Sequence, residues 1–244
     1  MAEHQAGRGG GPRGYFEQSR DLLNSFFLVL PLLLVYQAGL FASGGALANG
    51  ADPTRWMVRT WGWNALLYFN LLLIVVGVAG VLHARKKKRF DPRIALPVAV
   101  ESTVYGVVMG LGISRLLSFI PAAFIPLADA GQLPESSLAR VCLSLGAGVN
   151  EEFVFRLGMF AGGMALLTGP LKRNHAAVLA AVVSSVLFSL AHYLGGEVPT
   201  IHNFLFRFLA GVFFCGLFWV RGFAVAVYTH AIYDVLVMVV FASK

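Results

Sequence analysis

From Asn24 to Phe241 the chain is a succession of apolar runs, each about as long as a bilayer is thick, and no polar stretch between them is long enough to fold in water. A helix needs about 20 mostly apolar residues to cross a hydrocarbon core of roughly 30 Å. The runs fall near residues 24–42, 62–83, 94–118, 138–168, 176–194, 203–220 and 223–241. The expected fold is therefore all-α, a polytopic membrane helical bundle of about seven transmembrane helices in one domain. The fourth run is long enough to be tilted or broken, which leaves room for an eighth. Composition agrees, because 57% of the 244 residues are hydrophobic and 13% are charged, about half the 25% typical of soluble domains.

The 19 Lys and Arg against 12 Asp and Glu give a net charge of +7, but the basic residues sit in short clusters between apolar runs. That pattern suits topology determinants and anionic lipid, and it argues against nucleic acid, which needs a solvated basic face. Arg8, Arg13 and Arg20 precede the first run, Arg85 to Arg89 and Arg93 follow the second, Lys172 and Arg173 the fourth, and Arg221 the sixth. If the runs alternate, all of these lie on one side, and Arg55, Arg59 and Lys244 lie on the other. The positive-inside rule then predicts a multi-pass protein of the cell (inner) membrane, N-terminus cytoplasmic and C-terminus outside. Residues 1–23, rich in Gly and Pro from Arg8 to Gly14, read as a disordered cytoplasmic tail, and 24–244 as the membrane domain. A cleavable leader ending near Ala46-Leu47-Ala48 is disfavoured, because 24–42 is longer than the usual apolar segment of a signal peptide. Cys142 and Cys215 both fall in apolar runs and offer no disulfide framework or CxxC.

Ten ionisable residues remain inside the runs: Glu101, Arg115, Arg140, Glu151, Glu152, Arg156, His192, Arg207, His230 and Asp234. Each costs at least about 2.5–3.5 kcal/mol at bilayer depth, so such groups face the protein interior and mark functional sites. On a helix, Glu152 and Arg156 stand at i and i+4 with the acid first, the favourable order. Glu151 lies about 100° around from Glu152 with no sequence-local cation, which makes it the candidate for chemistry. His192 follows Phe188 by four residues, and Asp234 follows His230 by four. Glu101 and Arg115 are too far apart along one helix to pair, so Arg140 or Arg207 is the expected partner of Glu101. Asn203 and Arg207, near the proposed site, are candidates for supporting or substrate-contacting roles. His202 reads as interfacial, and Gly158 with Gly162 as a close-packing pair.

Glu151-Glu152-x-x-x-Arg156, Phe188-x-x-x-His192 and His230-x-x-x-Asp234 occur in that order on separate apolar segments. Together they resemble the EExxxR, FxxxH and HxxxN/D motifs of the CPBP family, which contains CAAX prenyl endopeptidases, bacteriocin-processing and self-immunity proteins, and the bacterial myxosortases. The motif-bearing core covers about residues 138–241. The resemblance implies an intramembrane endopeptidase with Glu151 as the general base that activates water and His192 holding the same water. His230 and Asp234 would form the oxyanion side, Glu152 and Arg156 the structural pair that presents Glu151, and Phe188 would pack beside them. Many relatives have Asn where Asp234 stands, and an ionised carboxylate cannot donate to an oxyanion. Asp234 is then either protonated or orients His230.

No metal or other cofactor is expected. Glu151, His192 and His230 could supply a three-ligand zinc site, but there is no HExxH, the usual zinc-protease arrangement. The expected partners are the bilayer and a membrane-anchored or lipidated protein or peptide, processed at a C-terminal sorting signal or CAAX-type end. Two other classes remain. A non-catalytic immunity or scaffold protein of the same fold has no need of an acid at 151. A proton-coupled transporter would use Glu101, Glu151 and Asp234 as relays.

Overall fold

The computed structural model describes residues 14–45, 53–86, 92–119, 134, 136–195 and 198–241. The helices in chain order are α1 (Tyr15–Arg20), α2 (Leu22–Ala42), α3 (Pro53–Trp61), α4 (Trp63–Lys86), α5 (Ala95–Leu117), α6 (Ser137–Glu152), α7 (Gly162–Leu167), α8 (Arg173–Ala191), α9 (Ile201–Arg221) and α10 (Phe223–Val235). A π-helical stretch, Phe153–Ala161, joins α6 to α7 without a break, and a second, Leu236–Phe241, extends α10. Each of the seven expected runs is thus helical, and the fourth is widened in the middle rather than interrupted. Among the described residues, five helical segments are long and apolar enough to span a bilayer: Leu22–Ala42, Pro92–Leu117, Arg173–Leu194, Ile201–Arg221 and Phe223–Phe241. The chain is a polytopic helical membrane protein. On α5, Val100, Val104, Val107, Val108 and Leu111 form an exposed apolar stripe at helical spacing, which lipid tolerates and water would not.

Helix starts follow local chemistry. Asp21 caps α2 by accepting from Asn24 N at 3.0 Å, and Thr200 caps α9 by accepting from Asn203 N at 3.0 Å, each removing an orphan N–H. A single residue, Gly222, turns α9 into α10 at φ +92°, a conformation that favours glycine. A side chain there would also strike Arg20, whose Cα lies 2.9 Å from the place of its Cβ.

α10 is the centre of the bundle, packed on α2, α5, α6 and α9. Its residues Ala224, Val225, Ala226 and Val227 are fully buried. Small residues let α6 pack closely on α10 and α2, and α9 on α8. A Cβ at Gly148 would lie 2.7 Å from Ala231 Cβ and one at Gly211 2.9 Å from Ser185 Cβ, and one at Gly146 would run into the Tyr36 ring. The expected pair Gly158 and Gly162 does not serve this purpose. Gly162 has nothing within 4 Å, and Gly158 meets only a carbonyl of its own helical segment. Neither position meets a neighbouring helix, which spacing alone did not reveal.

At the end of the bundle where α9 meets α10, Glu101 is gripped by Arg221, with Nε donating to Oε1 at 2.6 Å and the second nitrogen to Oε2 at 2.7 Å. Tyr105 donates to the same carboxylate at 2.8 Å, as does Tyr15. Burial, together with that bond, pushes the Tyr15 hydroxyl well above its usual range, so it stays a donor. The partner expected for Glu101 was Arg140 or Arg207. The fold supplies Arg221 instead, a residue 120 positions away that reads in sequence as a topology determinant. Arg221 also lies over the Phe16 ring at 4.3 Å. The tail expected over residues 1–23 is therefore helical and docked in its second half, because Tyr15 and Phe16 find this ion pair. Residues 1–13 and the disfavoured cleavage site at 46–48 lie outside the described residues.

Candidate active site

The last turn of α6 carries Glu151 and Glu152, both buried, into the π stretch that carries Arg156. The i, i+4 pair forms across that junction, with Arg156 Nε 3.0 Å from Glu152 Oε2 and both side chains fully buried. The contact is short, but its angle misses a hydrogen bond, so it acts mainly through charge. The guanidinium is also held over two rings, Phe188 at 4.3 Å and Phe214 at 5.1 Å, a cation–π arrangement strengthened by desolvation. A π turn leaves backbone groups off the usual ladder and recurs at functional sites. Here Ser184 donates to the Phe155 carbonyl at 2.6 Å, a role that no motif marks.

Glu152 does more than pair. Its Oε1 accepts from His230 Nδ1 at 2.8 Å, so one carboxylate joins α6 to α10 and fixes that imidazole. On α8, His192 Nδ1 donates to the Phe188 carbonyl at 2.9 Å. A carbonyl can only accept, so the proton of the neutral ring is on Nδ1 and the Nε2 lone pair is presented outward.

Both Nε2 atoms face one oxygen. Glu151 Oε2 lies 3.6 Å from His192 Nε2 and 3.8 Å from His230 Nε2. Asp234 Oδ2 lies 3.5 Å from His230 Nε2. The four residues singled out from the sequence, on three separate helices, therefore meet in one cluster. Phe188 packs at its centre, edge-on to His192 at 5.0 Å and to His230 at 5.9 Å, and Phe214 stacks on His230 at 4.8 Å. Separations of 3.6–3.8 Å are too long for direct hydrogen bonds. They are wider than the roughly 3.3–3.4 Å between neighbouring ligand atoms on a tetrahedral zinc with bonds of about 2.0–2.1 Å. Among the described residues, no group of three or more His, Cys, Asp or Glu is disposed to hold a metal ion.

The cluster opens into a cavity of about 370 Å³. Glu151, His192, His230 and Asp234 line it with Phe188, and α9 contributes Asn203 and Arg207, as expected for residues near the site. Two residues were missed. His202, read as interfacial, lines the cavity from the first turn of α9, and Tyr233 lines it beside Asp234. Alignment with Asn203 and Phe206 on one helix face could have flagged the first. Glu101 stands at the other end of the bundle and does not line the cavity. Arg140 donates to the Pro134 and Met238 carbonyls at 2.6 and 3.1 Å, tying α6 to the π end of α10. Arg115 lies over Phe119 at 5.3 Å, outside the site.

Residues 134–236, which hold the whole cluster, match the family model described as Type II CAAX prenyl endopeptidase Rce1-like. Over those residues the chain is similar to the Rce1-like CAAX prenyl endopeptidases. No curated protein and no solved structure matches it. The match covers the candidate spans Arg173–Leu194 and Ile201–Arg221 and most of Phe223–Phe241, and α2 and α5, which precede it, brace α10 from outside. Ser102 Oγ donates to the Val225 carbonyl at 3.3 Å and Tyr228 donates to Leu28 O at 2.9 Å.

Proposed function

We propose that this Rce1-like domain hydrolyses a peptide bond of a membrane-embedded or lipidated protein, with Glu151 activating water. One observation carries the reading: a buried carboxylate oxygen faces the Nε2 atoms of two imidazoles from different helices, inside a cavity. A water between these groups donates one proton toward Glu151 and the other toward the His192 lone pair, which turns an oxygen lone pair toward the substrate. Glu151 takes its proton as the oxygen attacks the carbonyl, and a base held within hydrogen-bond reach is what such catalysis requires. His230, clamped by Glu152, stands beside the developing oxyanion and can donate from Nε2 as the imidazolium. Asp234 lies 3.5 Å from His230 Nε2, so its part is to orient His230. Arg156 holds Glu152 in place. The assigned chemistry needs no metal.

The cluster lies toward the end of the bundle where α8 ends and α9 begins. With the N-terminus cytoplasmic, as the basic clusters suggest, that end is the outer one. A C-terminal sorting helix, the substrate of myxosortase-like members, reaches it there; a CAAX-type end would come from the cytoplasm. The test is incubation of the purified protein and Glu151→Gln in lipid nanodiscs with peptides of both kinds, read by mass spectrometry. The wild type should yield two fragments of a sorting-helix peptide, and the Gln variant, nearly isosteric but without a basic oxygen pair, none. Cleavage that survives in Glu151→Gln would remove the glutamate from the mechanism.

A further inference from the structure

The oxyanion side of the cluster is short of protons. His230 Nδ1 is spent on Glu152, which leaves Nε2 a donor only as the imidazolium, and an ionised Asp234 has none to give. The residue next to Asp234 supplies what is lacking. The Tyr233 ring is stacked on Phe206 at 6.1 Å and 25°. On its other side it lies against α5, where a Cβ at Gly110 would stand 2.7 Å from Tyr233 Cε2 and one at Gly106 3.5 Å from Tyr233 Cβ. Glycines on α5 thus make the room that fixes the ring. Tyr233 lines the cavity with the catalytic groups, and its hydroxyl has no hydrogen-bond partner among the described residues. A rigid phenol on the wall of a membrane cavity whose O–H is unused is unusual, because a tyrosine hydroxyl in such surroundings normally finds an acceptor. Of the other donors on the cavity wall, Asn203 holds an interaction of its own, and Arg207 lies over the Tyr193 ring at 5.7 Å. His202 has a spare ring, but it sits in the first turn of α9 with no aromatic neighbour fixing it among the described residues.

We propose that Tyr233 is a substrate-contacting catalytic residue whose hydroxyl donates a hydrogen bond to the carbonyl oxygen of the scissile peptide as it becomes an oxyanion. This rests on the proteolytic reading above and adds the donor that an acid at 234 does not provide. No bond is made or broken at Tyr233. The tyrosine proton stays on its oxygen, and the interaction strengthens as negative charge builds on the substrate, so it acts on the transition state more than on binding. A placed oxyanion donor is worth about 10²–10³ in turnover.

The test is Tyr233→Phe, which keeps the ring and its packing, assayed with the full-length protein in nanodiscs on a sorting-helix peptide. The expected result is a fall of about 10²–10³-fold in kcat with KM and thermal midpoint unchanged. Asp234→Asn places an amide donor next door, so in that background the same Phe substitution should cost under about 10-fold. A Tyr233→Phe enzyme with wild-type kcat overturns the proposal, as does a defect confined to KM. An equal loss in both backgrounds overturns the link to Asp234. Failure of the wild type to cleave at all would instead strike the proteolytic reading, and is told apart by the wild-type trace alone.

Discussion

Replacing Gly148 with alanine sets a methyl group where α10 already stands. The added Cβ would lie 2.7 Å from Ala231 Cβ and 2.8 and 2.9 Å from the Ala231 backbone nitrogen and Cα. Carbon contacts settle at about 3.5–4.0 Å, and backbone atoms cannot swing aside, so α6 and α10 must part by roughly 0.7–1 Å. The bond that crosses this interface, His230 Nδ1 to Glu152 Oε1, is 2.8 Å long. Stretched by that amount it reaches about 3.5–3.8 Å, beyond hydrogen-bonding range. Glu151 moves with the same turn of α6. A displacement of about 1 Å in a catalytic constellation costs on the order of 10²-fold in rate, and overpacking a close interface costs about 1–3 kcal/mol. Gly148→Ala should therefore remain helical, unfold more easily by that amount, and cleave about 10²-fold more slowly. Gly216→Ala on α9 is the comparison, because a Cβ there meets nothing within 4 Å; its rate and stability should match wild type. Initial rates on a fluorogenic membrane peptide, with thermal unfolding followed by circular dichroism in the same detergent, measure both. If Gly148→Ala turns over at the wild-type rate, the approach of α6 to α10 does not set the geometry of the site.

Two further outcomes follow from the charges. Arg156→Met leaves Glu152 as a buried carboxylate without its cation, and breaking such a pair costs about 3–5 kcal/mol; denaturant unfolding in detergent should show it, and a loss under about 1 kcal/mol would mean that the cation does not hold Glu152. Because the proposed mechanism uses only side chains and a water, with no metal, prolonged treatment with EDTA or 1,10-phenanthroline should leave the cleavage rate unchanged; a loss that added zinc restores would contradict it.

The amino-acid sequence determined the solvent of this protein and the members of its cluster. Seven apolar runs force a helical membrane bundle, since a run of that length has nowhere else to go. The ionisable residues Glu151, Glu152, Arg156, His192, His230 and Asp234 stand out against lipid because each is costly there unless it has a partner. Their local pairings at i and i+4 were legible for the same reason, being fixed by the pitch of one helix. Which helix faces which was not legible, and everything that depended on it came from the tertiary structure. The bond from Glu152 to His230 spans 78 residues and the grip of Arg221 on Glu101 spans 120. Neither distance has any periodicity to betray it. Gly146, Gly148 and Gly211 mattered where Gly158 and Gly162 did not, because what a glycine permits is decided by the surface opposite it. Tyr233 belongs to the same class: in sequence it is one aromatic among many in an apolar run, and the fold closes α5 glycines and Phe206 around its ring and sets the residue on the cavity wall.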